Sequence, residues 1–179
     1  MKDNLQRARD FETKYLPHLL DDKNVELFKR HRVYSLTELA ARCETLLENY
    51  CKTARIEAKT MLTMVRRELL PAITGAAARQ AANALALRSL SPTLGCACVS
   101  ARAERLSALA DEIDSQADTI ETVAGEISQI ASAPLQAAAV RDRLLPAMRR
   151  LRAACDAAES LVPADEWPFP TYAELLFSV

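Results

Sequence analysis

Glycine is nearly missing from this chain, with three in 179 residues. Loops that cradle phosphate with backbone amides, and folds built from many tight turns, both draw on glycine's freedom at positive φ, so both are disfavoured. Histidine is as scarce: His18 and His31 stand alone, neither in an H-E-x-x-H or E-x-x-H setting. That argues against a dinuclear carboxylate centre and reads both as surface or cap residues, and it leaves Ser-His-Asp and Cys-His catalysis without support. No run approaches 18 uninterrupted apolar residues, and the charged start MKDNLQRARD lacks an apolar core, so neither a membrane span nor a secretory signal is expected. An excess of one charge is absent as well. With 23 basic and 24 acidic side chains the net charge is −1, which gives no electrostatic case for nucleic acid or an anionic membrane. The five cysteines are odd in number and not spaced as a disulfide framework, which suits a reducing cytoplasm. Cys43, Cys51 and Cys155 fall on or beside helix stripes and read as core. Cys96 and Cys98 form a C-x-C in a predicted loop and read as two free thiols rather than the start of a soft-metal site.

What is abundant is helix-forming: Ala, Leu, Glu and Arg. The organising stretch is SLTELAARCETLLENYCKTARIEAKTMLTMVRRELLPAI, from Ser35 to about Ile73. Ser35 and Glu38 make an S-x-x-E capping box, with Tyr34 placed before it to staple against Leu39. Leu36, Leu39, Cys43, Leu47, Tyr50, Ala54, Ala58, Met61, Val65, Leu69 and Ala72 recur at steps of three and four, one apolar stripe on a helix about 55 Å long. Pro71 should kink or end it. Upstream, residues 3–16 form a weakly amphipathic segment (Leu5, Ala8, Phe11, Tyr15), and Asn24 is expected to cap a short helix through Phe28 and His31.

Beyond Pro71 an Ala-rich helical piece runs to about Leu90, followed by a connector around Ser91-Pro92 and Gly95. A further helix is expected from about Ser100 to Ala131, its seam made by Leu106, Leu109, Ile113, Ala117, Ile120, Ala124 and Ile127. Another spans about Pro134 to Val162, with Leu144, Met148, Leu151, Cys155, Ala158 and Val162 inward and Pro146 kinking it. RRELLPAI at 66–73 is echoed by RDRLLPAM at 141–148, one match, too little for a repeat. The tail PADEWPFPTYAELLFSV gathers the sole tryptophan, Trp167, with Phe169, Tyr172 and Phe177. Pro168 and Pro170 impose extended geometry around them, and Thr171 and Glu174 form a second capping box. These aromatics should dock on a groove between helices or on another chain.

Two charged flanks complete the picture. Lys52, Arg55, Lys59 and Arg66 share one side of the long helix, and Asp111, Asp114, Asp118 and Glu121 share one side of the next strong one. Both read first as solvated faces. Pairing across helices or between subunits would contribute up to about 1 kcal/mol per exposed pair. Ile56 points nearly opposite the apolar stripe and marks a candidate second packed surface.

The blocks ENYCKTARIEAKTM (48–61) with ELLPAI, then RDRLLPAM (141–148), then WPFPTYAELLFSV at the end, together resemble the C-terminal region of type III glutamine synthetases. The likeness runs from LFKRHRVYS at 27–35 to the last residue, with 75–135 matching in helical character alone. The resemblance implies a piece of a larger ATP- and Mg-dependent ligase that joins ammonia to glutamate, with its catalytic domain upstream and absent from this chain. No catalytic, cofactor-binding or metal residue is carried over, and the chain by itself is expected to be inactive. Its expected partners are its own upstream catalytic domain and neighbouring subunits, in the cytoplasm, with no nucleic acid and no membrane.

The expectation is therefore an all-α, elongated antiparallel helical bundle built on the helix of about 35–73, with an extended Pro/aromatic tail. It reads as one helical domain over 1–179: short helices at 1–34, the bundle at 35–162 and a docking tail at 163–179. Candidate interaction residues are Lys52, Arg55, Ile56, Lys59, Trp167, Phe169, Tyr172 and Phe177. The alternative is a free-standing helical adaptor that binds a protein partner through the long helix or the tail.

Overall fold

The computed structural model describes residues 14–170 and 172–177, and every regular element among them is helical. The weakly amphipathic segment at 3–16 falls almost wholly outside the described residues, as does the cap residue Thr171. A 3-10 turn at Leu16–Leu20 leads into α1, Asp22–Arg30. Its N-cap is Asp21, not Asn24; Asn24 lies in the first turn and donates from Nδ2 to the His18 carbonyl at 2.6 Å. His31 is the C-cap, and His18 pairs with Asp21 at 3.1 Å, so both histidines serve helix ends. The chain leaves α1 through a Schellman motif: Arg32 N–H reaches the Lys29 carbonyl and Val33 N–H the Phe28 carbonyl, with Arg32 at φ 52° where glycine is usual.

α2, Leu36–Met64, opens on the expected capping box. Ser35 N–H and Ser35 Oγ both donate to Glu38 Oε2, at 2.7 and 2.8 Å, and Glu38 N–H returns a bond to Ser35 Oγ at 3.3 Å. Tyr34, just before the cap, sets its ring 5.8 Å from that of Phe28 and lies under the Arg42 guanidinium at 5.0 Å. The Ser35 backbone N–H, and then its hydroxyl, hold the Glu38 carboxyl below the usual range. A lowered folded pKa contributes stability that is fully present above the ordinary Glu value and lost as pH falls through the folded one. Ser35→Ala removes the N-cap oxygen itself and, as N-cap replacements do, should lower stability by about 1 kcal/mol at neutral pH. The gap to wild type should narrow in acid, as read from denaturant midpoints across pH; a gap independent of pH would contradict the role given to Glu38.

The stripe of α2 packs as its spacing requires. Leu39, Cys43, Leu47, Tyr50, Ala54 and Ala58 are buried, while Leu36 at its start is exposed. The expected end near Ile73 is not observed. A π-turn over Val65–Leu69 follows directly, then α3, Leu70–Leu90, so the chain stays helical from 36 to 90. In a regular helix Pro71 would lose its bond to the carbonyl four residues back and strike it with its ring. The wide turn, with Leu70 N–H bonded to the Val65 carbonyl five residues back, opens the helix just before the proline. Pro71 then stands in the first turn of α3, where no donor is missed.

α4, Ala97–Ser128, begins about three residues before the expected start and ends earlier than expected. Cys98 consequently sits in its first turn rather than in a loop. Leu106, Ala110, Ile113, Ala117, Ile120 and Ile127 are buried along it, with Leu109 and Ala124 only half-buried. The last strong helix is divided by the same device as the first. α5, Ala133–Ala139, passes through a π-turn, Val140–Leu144, into α6, Leu145–Glu159, whose second residue is Pro146. Here Leu145 N–H bonds to the Val140 carbonyl. The echo noted above is therefore structural: V-R-x-x-L-L-P-A is a π-turn followed by a proline-started helix in both places. A 3-10 turn at Ala164–Glu166 and the short α7, Tyr172–Phe177, complete the described chain.

The chain divides into two compact units. One comprises Met1–Lys59 with Ile120–Ala147, the other Thr60–Thr119 with Met148–Val179. In the first, Leu47, Ile120, Ile127, Val140 and Leu144 are fully buried. The Cys43 thiol donates to the Leu16 carbonyl at 3.4 Å, Gln136 Nε2 donates to the Ile127 carbonyl at 3.1 Å, and Arg143 pairs with Glu126. In the second, Val65, Ile73, Leu106, Ile113 and Leu151 make the interior. Arg66 meets Asp118 at 2.8 Å there, and Arg79 of α3 pairs with Glu166 at the start of the tail.

Candidate interaction surfaces

The α2 flank is assembled by helical spacing alone, since residues three and four apart share a face. Lys52, Arg55, Ile56 and Lys59 all lie within the first compact unit and all are exposed. Lys52 Nζ donates to Glu48 Oε2 at 3.0 Å, an i,i+4 pair with the acid on the N-terminal side, the favoured order. Ile56 is 67% exposed on this charged flank. A lone exposed isoleucine is ordinary on a protein surface. Its position on the exposed side of the helix, between two basic residues, nevertheless makes it a ready apolar contact for a partner.

Of the two expected charged flanks, Arg66 and Asp118 pair across helices inside the second unit. Arg66 falls in a different compact unit from Lys52, Arg55, Ile56 and Lys59. Arg55 also acts inward, its charge partly offsetting the burial that raises the Cys51 thiol.

The tail is organised differently. Glu166 anchors it to Arg79. Beyond that anchor Trp167 and Phe169 are half-buried, and with Ala164, Pro168, Pro170, Glu174 and Leu175 they line an open pocket of about 430 Å³. The tail thus folds back on itself through residues of α7. The backbone of Tyr172 and Phe177 belongs to α7; their side chains lie outside the described residues.

The buried thiols are inert in character. Burial raises the Cys43 and Cys51 thiols, and burial with the Asp156 charge pushes Cys155 up to about 11. Cys96 differs, because Arg88 Nε donates to its sulfur at 3.1 Å. Sequence spacing could not have found that partner, since eight residues and a connector separate the two. Among the described residues no group of three or more His, Cys, Asp or Glu is placed to hold a metal ion, and no helix is long and apolar enough to cross a membrane.

Comparison with known proteins bears on these surfaces. Residues 3–88 match the glutamine synthetase C-terminal domain family. The chain is also similar to a glutamine synthetase of Butyrivibrio fibrisolvens, 28% identical over 164 residues. That likeness covers 92% of this chain but only 23% of the relative's length. The matched stretch 3–88 contains Lys52, Arg55, Ile56 and Lys59, and stops far short of the aromatic tail.

Proposed function

Because this chain is related to the C-terminal region of glutamine synthetases, we propose that it serves as the non-catalytic helical domain of a type III enzyme. In that reading the parent polypeptide forms glutamine from ATP, glutamate and ammonia in the cytoplasm. The catalytic residues, ATP and Mg belong to its upstream part. This domain supports that catalytic core and the contacts between neighbouring subunits. The observation that carries the reading is the coincidence of the family match with the α2 flank: the matched stretch holds three basic side chains and an exposed isoleucine on one exposed flank. The flank has the composition of a docking surface rather than of a substrate pocket: an apolar contact set among charges that can orient a partner.

Lysine footprinting with an amine-reactive reagent tests it. Lys52 and Lys59 should be modified readily in this chain alone and several-fold more slowly in the assembled synthetase. Equal modification in both states would leave the flank solvent-facing in the enzyme and overturn the reading.

A further inference from the structure

The C-x-C at the head of α4 is not absorbed by the docking reading and stands independently of it. We propose that Cys96 and Cys98 form a thiol–disulfide switch in which exposed Cys98 meets a low-molecular-weight disulfide and buried Cys96 resolves the adduct. The geometry supplies each role. Cys98 is exposed, whereas Cys96 is 7% exposed. Arg88, in the last turn of α3, crosses the connector to donate from Nε to Cys96 Sγ at 3.1 Å. The Cys96 carbonyl accepts the first bond of α4 from Ser100 N–H at 3.0 Å, which puts the thiol at the positive end of a 32-residue helix. The Arg88 hydrogen bond, its charge and the Ser100 hydroxyl outweigh burial and hold this thiol below the usual cysteine value, opposite in direction to the three core thiols.

The chemistry balances without a further oxidant. Cys98 thiolate attacks one sulfur of a small disulfide such as oxidised glutathione, forming a mixed disulfide and releasing one small thiolate. Cys96 thiolate then attacks Cys98 Sγ, forming the intramolecular S–S bond and releasing the second small thiolate. Two electrons pass from the protein thiols to the small disulfide, which leaves as two thiols. Cys96 stands just before α4 and Cys98 in its first turn, and a disulfide needs its Cβ atoms within about 4.5 Å. Closing the bond therefore asks the first turn of α4 to rearrange, and it removes the thiolate that Arg88 holds. Oxidation is in this way coupled to fraying of the α3–α4 connection.

Incubation of the protein with oxidised glutathione, acid quenching and mass spectrometry tests the proposal. Wild type should lose two hydrogens and retain no glutathione, with both thiols blocked to alkylation. Cys96→Ser should keep one glutathione on Cys98, and Cys98→Ser should take up none. Arg88→Met should slow the resolving step about ten-fold at neutral pH without changing the first. Amide exchange at residues 97–100 should rise on oxidation. A wild-type protein that accumulates glutathione on Cys98 as Cys96→Ser does, or whose Cys98 does not react, overturns the switch. An unchanged resolving rate in Arg88→Met overturns the part given to Arg88.

Discussion

Deleting Glu68 should remove about 3 kcal/mol of stability, and replacing Pro71 by alanine in the same chain should return most of it. The reason lies in the turn that carries both residues. Val65, Leu69 and Ile73 are buried at successive steps of four. On a regular helix each step of four overshoots a full turn by about 40°, so three such residues would drift off the core face. The wide Val65–Leu69 turn absorbs the drift and frees the carbonyl that the Pro71 ring would otherwise strike. Removing exposed Glu68 leaves spacing for an ordinary helix, in which Pro71 becomes an interior proline. Alanine at 71 removes that conflict. Denaturant unfolding of the two variants measures both halves, and a deletion that Pro71→Ala does not rescue would contradict the account.

Ile73→Ala should be the most damaging single truncation near this turn, with a loss of about 2–5 kcal/mol. The stripe drawn with 3.6-residue periodicity puts Ala72 inward and leaves Ile73 off the face. The structure reverses them: Ile73 is fully buried and Ala72 only half so. Truncating Ile73 opens a cavity in the second unit, because its neighbours are held by helices that collapse only partly around a void. Leu85→Ala, at a side chain 68% exposed on the same helix, should change stability by less than about 0.5 kcal/mol. Similar losses at both positions, read from unfolding midpoints, would place the core elsewhere.

These two cases also mark where the sequence was readable. Strict three-four steps located the buried faces of α2, α4 and α6, because burial is a property of one helix and its phase. Capping chemistry located the start of α2, where Ser35 and Glu38 satisfy each other locally. The π-turn just before each proline was not foreseen. The rule that interior proline kinks a helix assumes a 3.6-residue ladder, and V-R-x-x-L-L-P-A escapes it by widening the ladder one turn earlier. The resemblance of RRELLPAI to RDRLLPAM was visible, but its meaning needed coordinates. The candidate surface divides in the same manner. Helical spacing sufficed to group Lys52, Arg55, Ile56 and Lys59, whereas the Arg66–Asp118, Arg79–Glu166 and Arg88–Cys96 contacts span connectors whose geometry no periodicity encodes.

The proposed role of the α2 flank is tested most directly by sedimentation and glutamine-forming assays on the whole synthetase polypeptide carrying Lys52→Glu, Arg55→Glu, Ile56→Asp and Lys59→Glu together. All four side chains are exposed, so the domain itself should keep its helical circular dichroism and its unfolding midpoint to within about 1 kcal/mol. The predicted result is a smaller assembly with activity per subunit reduced at least several-fold. An assembly of unchanged mass with unchanged activity would contradict the account.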